Sequence, residues 1–267
     1  MSDETAGPPA VTARGSADPS KEIRRLDRTV RRLEVKLEQV ERMRDTNARV
    51  IDRLMRELEA ERERSRDLLL NVLPQRIVER LDAGETRIAD RHDRVAIVFS
   101  DFVGFTRIAA GRSASDLVDD LNRLFSAFDE RTAALGVEKI KTIGDAYLAA
   151  AGLADGGPDP VVAAADLALG MREVVHATGP PWAIRIGIHI GPVEAGIIGT
   201  RTFAYDVWGD TVNVASRLES TAGPDRIHVS GAVARALRSR YELVPRGRVH
   251  LKGKGVRSTW TLVGRRP

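Results

Sequence analysis

Asp101, within FSDFVGFT (residues 99–106), and Asp145, within EKIKTIGDAYLA (residues 138–149), are the residues from which chemistry can be argued. In both stretches an acid sits where a run of apolar and β-prone residues gives way to glycine. A strand that ends this way sets a charge at a sheet rim, next to backbone able to approach a ligand closely. Two such rims brought together would offer oxygen ligands to a hard divalent cation, and Mg²⁺ held so completes its shell with substrate phosphates. Either aspartate alone reads more simply as a turn residue. Their company further along the chain is what weights the pair towards a site.

Alternating elements must position them. Residues 95–100 read as a buried strand, 115–135 as an amphipathic helix and 137–143 as a strand, after which Gly144-Asp145 turns the chain into a strand at 146–151. A loop rich in Gly, Asp and Pro (155–160) leads to a helix at 161–177 and a strand at 182–190. A helix at 211–220 opens after Gly209-Asp210, and short strands follow at 227–230 and within 249–263. The β-α-β-β-α-β order predicts an α+β, ferredoxin-like domain with additions after it, built as one antiparallel sheet with helices packed on it.

Upstream the texture differs. Residues 1–20 are rich in Pro, Gly, Ala, Ser and Thr and read as a disordered tail. From residue 21 to 67 a heptad runs without a break. Its a positions are Ile23, Val30, Leu37, Arg44, Ile51, Leu58 and Ser65, and its d positions Leu26, Leu33, Val40, Asn47, Leu54, Glu61 and Leu68. Ten of these fourteen are apolar, and a strict seven-residue repeat sustained this long calls for a supercoiled partner. β-Branched residues at several a positions with Leu at most d positions favour a parallel pair. Residues 68–89, with an apolar block ended by Pro74 and a short helix stopped at Gly84, form a linker, and residues 90–267 form the main domain.

Composition removes several classes of function. The chain has 267 residues, 42% hydrophobic and 30% charged, as expected of a globular protein. It has no cysteine, which excludes disulfides, thiolate nucleophiles and Cys-ligated zinc. Aromatics are 4%, too few for stacking platforms, and the formal charge of +4 comes from basic groups interleaved with acids. Nucleic acid is therefore not an expected partner. With no apolar run of membrane-spanning length and no basic-then-apolar leader, the expectation is a cytoplasmic protein without a membrane span.

Taken together, FSDFVGFT, KIKTIGDAYLA, IRIGIHIG (184–191), YDVWGDTVNVASRLES (205–220) and LKGKG (251–255) resemble, in order, the motifs of the class III nucleotidyl cyclase catalytic domain, of the adenylate cyclase type. The likeness covers about residues 90–262, and LLLNVLPQRIVERL (68–81) is similar to the linker that often precedes such domains. The resemblance implies that Asp101 and Asp145, with the backbone carbonyl of Phe102, bind two Mg²⁺ or Mn²⁺ ions. It implies that backbone N–H groups of residues 103–106, Phe105 and Thr106 included, cradle the phosphates of a nucleotide. Lys141 and Asp206 match base-reading positions. Lys141 can donate to N1 of adenine and Asp206 can accept from its N6 amino group, whereas guanine presents the reverse pattern. ATP is the implied substrate. Asn213 and Arg217, four apart and so on one helix face, match the residues that orient the ribose and stabilise charge on the α-phosphate. Lys252, with Lys254 as an alternative, matches a phosphate-binding lysine, and Arg185 an arginine near the pyrophosphate. His189, inside an apolar strand, reads as structural.

Lys141 and Asp145 lie on and just after one strand, so a single hairpin can hardly deliver both to one nucleotide. In the family they serve different sites, and a chain holding both sets implies a homodimer with shared sites, its two domains tethered by the coil. The implied activity is conversion of ATP to 3′,5′-cyclic AMP and pyrophosphate. A cyclase with relaxed ATP/GTP preference and an inactive cyclase fold used as a nucleotide-binding regulatory module are the alternatives. A diguanylate cyclase is disfavoured, because no GGDEF-like signature occurs. A separate regulatory partner of the coil is open, as is the choice between Mg²⁺ and Mn²⁺.

Overall fold

A computed structural model of the chain describes residues 19–179, 181–199 and 203–267. These fall into two units that divide between Leu68 and Leu69. The first is supplied by one helix, α1 (Pro19–Leu70), with a length of about 78 Å at the α-helical rise. Its heptad residues Ile23, Leu26, Val30, Leu33, Leu37 and Val40 are all exposed along the single chain. Its other faces carry ion pairs one turn apart, such as Arg53–Glu57 at 2.8 Å. Exposed pairs of this kind add little stability, so the apolar seam is the helix's main unspent resource. Residues 1–18 of the expected tail lie outside the described residues.

The second unit opens with α2 (Gln75–Asp82). A sheet of eight strands follows: β1 (Ala89–Phe102), β2 (Val137–Ile143), β3 (Ala146–Ala151), β4 (Ile184–Ile198), β5 (Ala204–Trp208), β6 (Ile227–Ser230), β7 (Tyr241–Leu251) and β8 (Gly255–Arg265). The helices between them are α3 (Phe105–Ala110), α4 (Ala114–Ala134), α5 (Pro160–Thr178), α6 (Asp210–Ser220) and α7 (Gly231–Leu237). Strand order is β2-β3-β1-β4-β6-β8-β7, with β5 pairing the far half of β4 off that path. The first four strands, in the order β2-β3-β1-β4, are the ferredoxin-like arrangement. The sheet is mixed rather than wholly antiparallel as expected: β4 and β6 pair in parallel, because β5 and α6 carry the chain back along β4 before β6 begins, and the other pairs are antiparallel.

Residues 95–98 of β1 are buried on both faces, which is why this stretch is apolar without alternation. Ala96, Val98 and Phe102 join one core with α4 and α5. Val95 and Ile97 join a second with Leu73, with Ile77 and Val78 of α2, and with Tyr205 and Val207 of β5. Ile77 and Val78 are fully buried, each contributing about 1.5–3 kcal/mol, so α2 is built into the domain. Caps fix where helices begin. Ser113 accepts from the Asp116 N–H ahead of α4, and Asp159 accepts from the Val161 and Val162 N–H groups ahead of α5.

The structure adds elements that sequence patterning does not predict. These are α3, β5, α7, the second half of β4 (191–198), the start of β7 (241–248) and the first six residues of β1, whose side chains are exposed or half-buried. On β6, His228 is wholly buried, and its Nδ1 lies 2.9 Å from the Leu218 carbonyl oxygen at the end of α6. Its Nε2 is buried without a partner. Among the described residues, no helix is long and apolar enough to cross a membrane.

Candidate active site

The β1–β4 register sets Asp101 opposite Arg185 and Phe102 opposite Ile184. Phe102 is buried, with its ring 5.0 Å from that of Trp182 and stacked on Phe125 and Phe128, so the rim carrying Asp101 is anchored from below. Gly144 takes a φ of +63°, which an L side chain rarely adopts, and this turn presents Asp145 to the same rim. The Asp145 carboxylate accepts from the Phe102 backbone N–H. Burial, reinforced by the neighbouring Asp101 charge, pushes the Asp145 carboxyl above its ordinary value.

Arg185 donates to Asp101 Oδ1 at 3.0 Å. Its Nε also lies 2.5 Å from Oε1 of Glu219, a carboxylate only 3% exposed on α6. Close helix–sheet approach puts Glu219 there. A Cβ on Gly187 of β4 would stand 2.2 Å from the Ala215 carbonyl oxygen and 2.3 Å from the Glu219 nitrogen. Only glycine lets the last turn of α6 lie this close to the strand. Two crowded carboxylates set oxygen donors side by side, and a divalent cation would relieve their mutual repulsion.

The base-reading candidates meet elsewhere. Lys141 Nζ on β2 donates to Asp206 Oδ2 on β5 at 2.5 Å, and Asp206 Oδ1 accepts from the Val207 N–H at 2.9 Å. A β-bulge makes this possible. The β2–β3 register shifts between Lys139 and Lys141. Two residues apart on a regular strand, these lysines would share a face. With the bulge, Lys139 reaches Asp129 on α4 at 2.7 Å while Lys141 turns to the β5 side. From α2, Arg76 donates to both oxygens of Glu138 on β2, at 3.1 and 3.2 Å. It also donates to the Tyr205 hydroxyl on β5, and its guanidinium stands 5.4 Å from the Tyr205 ring centre. One side chain thus bridges the two strands that carry Lys141 and Asp206.

Asn213 and Arg217 are exposed on the outer face of α6, with Asn213 Nδ2 donating to the Gly209 carbonyl oxygen at 3.3 Å. Lys252 and Lys254 sit at the turn of the β7–β8 hairpin. Lys254 is ion-paired with Asp210, while Lys252 is exposed with no ion pair among the described residues. The Val103 N–H is already engaged by the Ala183 carbonyl at 2.9 Å. Phe105 and Thr106, at the first turn of α3, keep N–H groups that have no intrahelical acceptor. His189 Nδ1 lies 2.8 Å from Ser230 Oγ across β4 and β6, and burial lowers its pKa.

The structure therefore brings together Asp101, Phe102, Asp145 and Arg185 in one group, Lys141 and Asp206 in another, and Asn213 and Arg217 on one helix face. Among the described residues, no hydrogen bond or ion pair joins the first group to the Lys141–Asp206 pair. Glu219 escapes sequence reasoning. It sits in an ordinary-looking helical stretch, and the one available signal is the glycine at 187 on the strand that α6 crosses.

Residues 88–264 match the adenylate and guanylate cyclase catalytic domain family, and the chain belongs to it. Over 214 residues, 78% of this chain, it is 46% identical to an adenylate cyclase of Mycobacterium tuberculosis, of which the match spans 48%. Over 220 residues, 79% of this chain, it is 42% identical to retinal guanylyl cyclase 2 of Rattus norvegicus, spanning 20% of that protein. The chain thus spans about half or less of these curated relatives. Among solved structures, the guanylate cyclase domain of RhGC from Catenaria anguillulae, in complex with GTP, is similar with a TM-score of 0.64 and 35% identity. That likeness covers 66% of this chain and all of the RhGC domain.

Proposed function

We propose that this chain is an adenylate cyclase, converting ATP to 3′,5′-cyclic AMP and pyrophosphate at sites shared across a homodimer. The observation that carries the nucleotide choice is the Lys141–Asp206 pair at 2.5 Å. It sets one cationic donor beside one anionic acceptor, the order that N1 and N6 of adenine require and guanine inverts. The similarity to a mycobacterial adenylate cyclase supports this reading. The comparable similarity to guanylyl cyclases makes nucleotide preference the point to test.

Asp101, Asp145 and the Phe102 carbonyl would hold two Mg²⁺ or Mn²⁺ ions, which when bound lower the pKa of the ribose 3′-hydroxyl and neutralise phosphate charge. The chain's own groups do the rest. Phe105 and Thr106 N–H groups and Lys252 receive phosphate oxygens, Arg185 stands beside Asp101 to meet the pyrophosphate, and Asn213 orients the ribose. Arg217 is placed for negative charge developing on the α-phosphorus, where an arginine acts chiefly in the transition state. The 3′-oxygen attacks in line, the new bond closes the cyclic phosphodiester, and pyrophosphate leaves.

Separation of the aspartate group from the base-reading pair within one chain supports a site completed by a second copy. The partner would lend Lys141, Asp206, Asn213 and Arg217 to the aspartates of the first. The apolar seam of α1 would tether the two copies as a parallel coiled coil and raise their effective concentration. The test is purified protein given ATP or GTP with Mg²⁺ or Mn²⁺ and product identification by mass. Cyclic AMP as the main product is expected; cyclic GTP-derived product in excess, or no cyclic product with either metal, overturns the proposal.

A further inference from the structure

We propose that Glu219 is a positioning residue acting through Arg185, drawing the guanidinium away from full engagement with Asp101 before a divalent cation arrives and keeping it at the rim once the cation has taken Asp101. This rests on the reading of Asp101 and Asp145 as the metal-holding end of a cyclase site.

An acid 3% exposed is rare unless a partner compensates it. Glu219 has two close polar neighbours: Arg185 at 2.5 Å and the hydroxyl of Ser220, which donates to Oε2 at 3.1 Å. Its backbone is pinned by the contact with Gly187, so the carboxylate cannot drift to solvent without lifting the end of α6. Arg185 is therefore shared between a fixed acid on one side and Asp101, at 3.0 Å, on the other. Asp101, Asp145 and Glu219 against Arg185 leave a formal local charge of −2, the complement of one divalent cation. Without such an ion, Arg185 stands in for part of its charge. When an ion binds Asp101, Arg185 loses one partner but retains Glu219, and so remains at the rim with its free N–H groups able to meet phosphate oxygens.

Two substitutions separate this account from a merely structural one. Removing the Glu219 charge with Glu219→Gln leaves Arg185 committed to Asp101 and reduces the local charge to −1, so cation affinity must fall. Arg185→Gln removes the competitor and raises the local charge to −3, so cation affinity must rise. Contacting groups of this kind couple by amounts that correspond to about five- to tenfold in affinity.

The experiment measures Mn²⁺ binding to the full-length, nucleotide-free protein by the electron paramagnetic resonance signal of the free ion, with circular dichroism confirming the fold of each variant. Expected is a Kd about five- to tenfold weaker in E219Q, tighter by a similar factor in R185Q, and within about twofold of wild type in the double variant. Shifts in the same direction in both single variants, or an unchanged Kd in E219Q, would overturn the positioning role. Absence of Mn²⁺ binding by the wild type, or binding indifferent to Asp101→Asn, would overturn the metal-end reading itself. Should E219Q fail to fold, Glu219→Asp, which keeps the charge but withdraws it from Arg185 by one methylene, takes its place: a weaker Kd is expected, and an unchanged Kd refutes the role.

Discussion

Exchanging the base-reading pair, Lys141→Glu with Asp206→Cys, should move nucleotide preference from ATP towards GTP. Both bonds proposed to adenine would involve a charged group, and such bonds contribute about 1.5–3 kcal/mol each when shielded from water. The Asp206 side chain is 18% exposed and that of Lys141 is 40% exposed, so the lysine's share lies at or below the lower end of that range. The loss for ATP is then about 3 kcal/mol, or about a hundredfold in kcat/KM. For GTP, Glu at 141 would accept from the protonated N1, and the shorter residue at 206 removes the anion facing O6. The ratio of the two kcat/KM values should therefore shift by about a thousandfold. The assay is steady-state formation of both cyclic products by the same preparation, because a ratio cancels any loss of folded protein. A shift smaller than about tenfold would refute the assignment of these two residues to the base.

Mixing inactive Asp101→Ala and Arg217→Ala proteins should restore about a quarter of wild-type activity, since half of randomly paired dimers are mixed and each then has one intact site. No recovery, with mixed dimers shown by mass spectrometry, would sink the shared-site account. His228 gives a pH test, because burial pushes its pKa down to about 4. The unfolded chain binds this proton near pH 6.5 and the folded protein does not, so stability is complete above that pH and falls as pH drops towards 4, by about 2 kcal/mol at pH 5. Urea midpoints between pH 7 and 5 should show the loss, and His228→Gln should flatten that part of the profile. Gly187→Ala forces a methyl group to 2.2 Å from the Ala215 carbonyl oxygen. Overpacking of this sort costs about 1–3 kcal/mol, so the melting temperature should fall, with activity falling further because α6 carries Asn213 and Arg217. An unaltered melting temperature would mean that the helix yields freely.

The Asp101 rim was legible because it ends an apolar strand whose burial leaves a local pattern, and the Asp145 rim because β-prone residues run into Gly144-Asp145, although only Val137 of β2 is buried. β2 and β3 appear where expected, whereas β1 starts six residues earlier and β4 runs eight residues further. The split βαβ order follows from the same periodicity. The missed elements lack it. α3 is six residues long, too short for helical repetition, and β5 is five residues long and visible only as part of a motif. The opening of β1 reads ADRHDR, polar throughout, and is a strand only because β4 pairs with it. Lys141 and Lys139 look equivalent in sequence, and only the bulge between them sends them to opposite faces. Glu219 is hidden for a related reason. Its burial comes from a helix crossing a strand thirty-two positions earlier, and no feature of SRLES announces that.

Arg76 gives the domain an unusual economy. Its guanidinium is tied to Tyr205, the residue before Asp206, and to Glu138, three residues before Lys141 on the same strand, and so reaches both residues that would discriminate purines. A push or twist delivered along α2 would thus reach the recognition edge before it reached the aspartates. Grafting a foreign input module upstream of α2 would then retune fidelity between nucleotides as well as turnover, and an engineer would need to monitor both outputs.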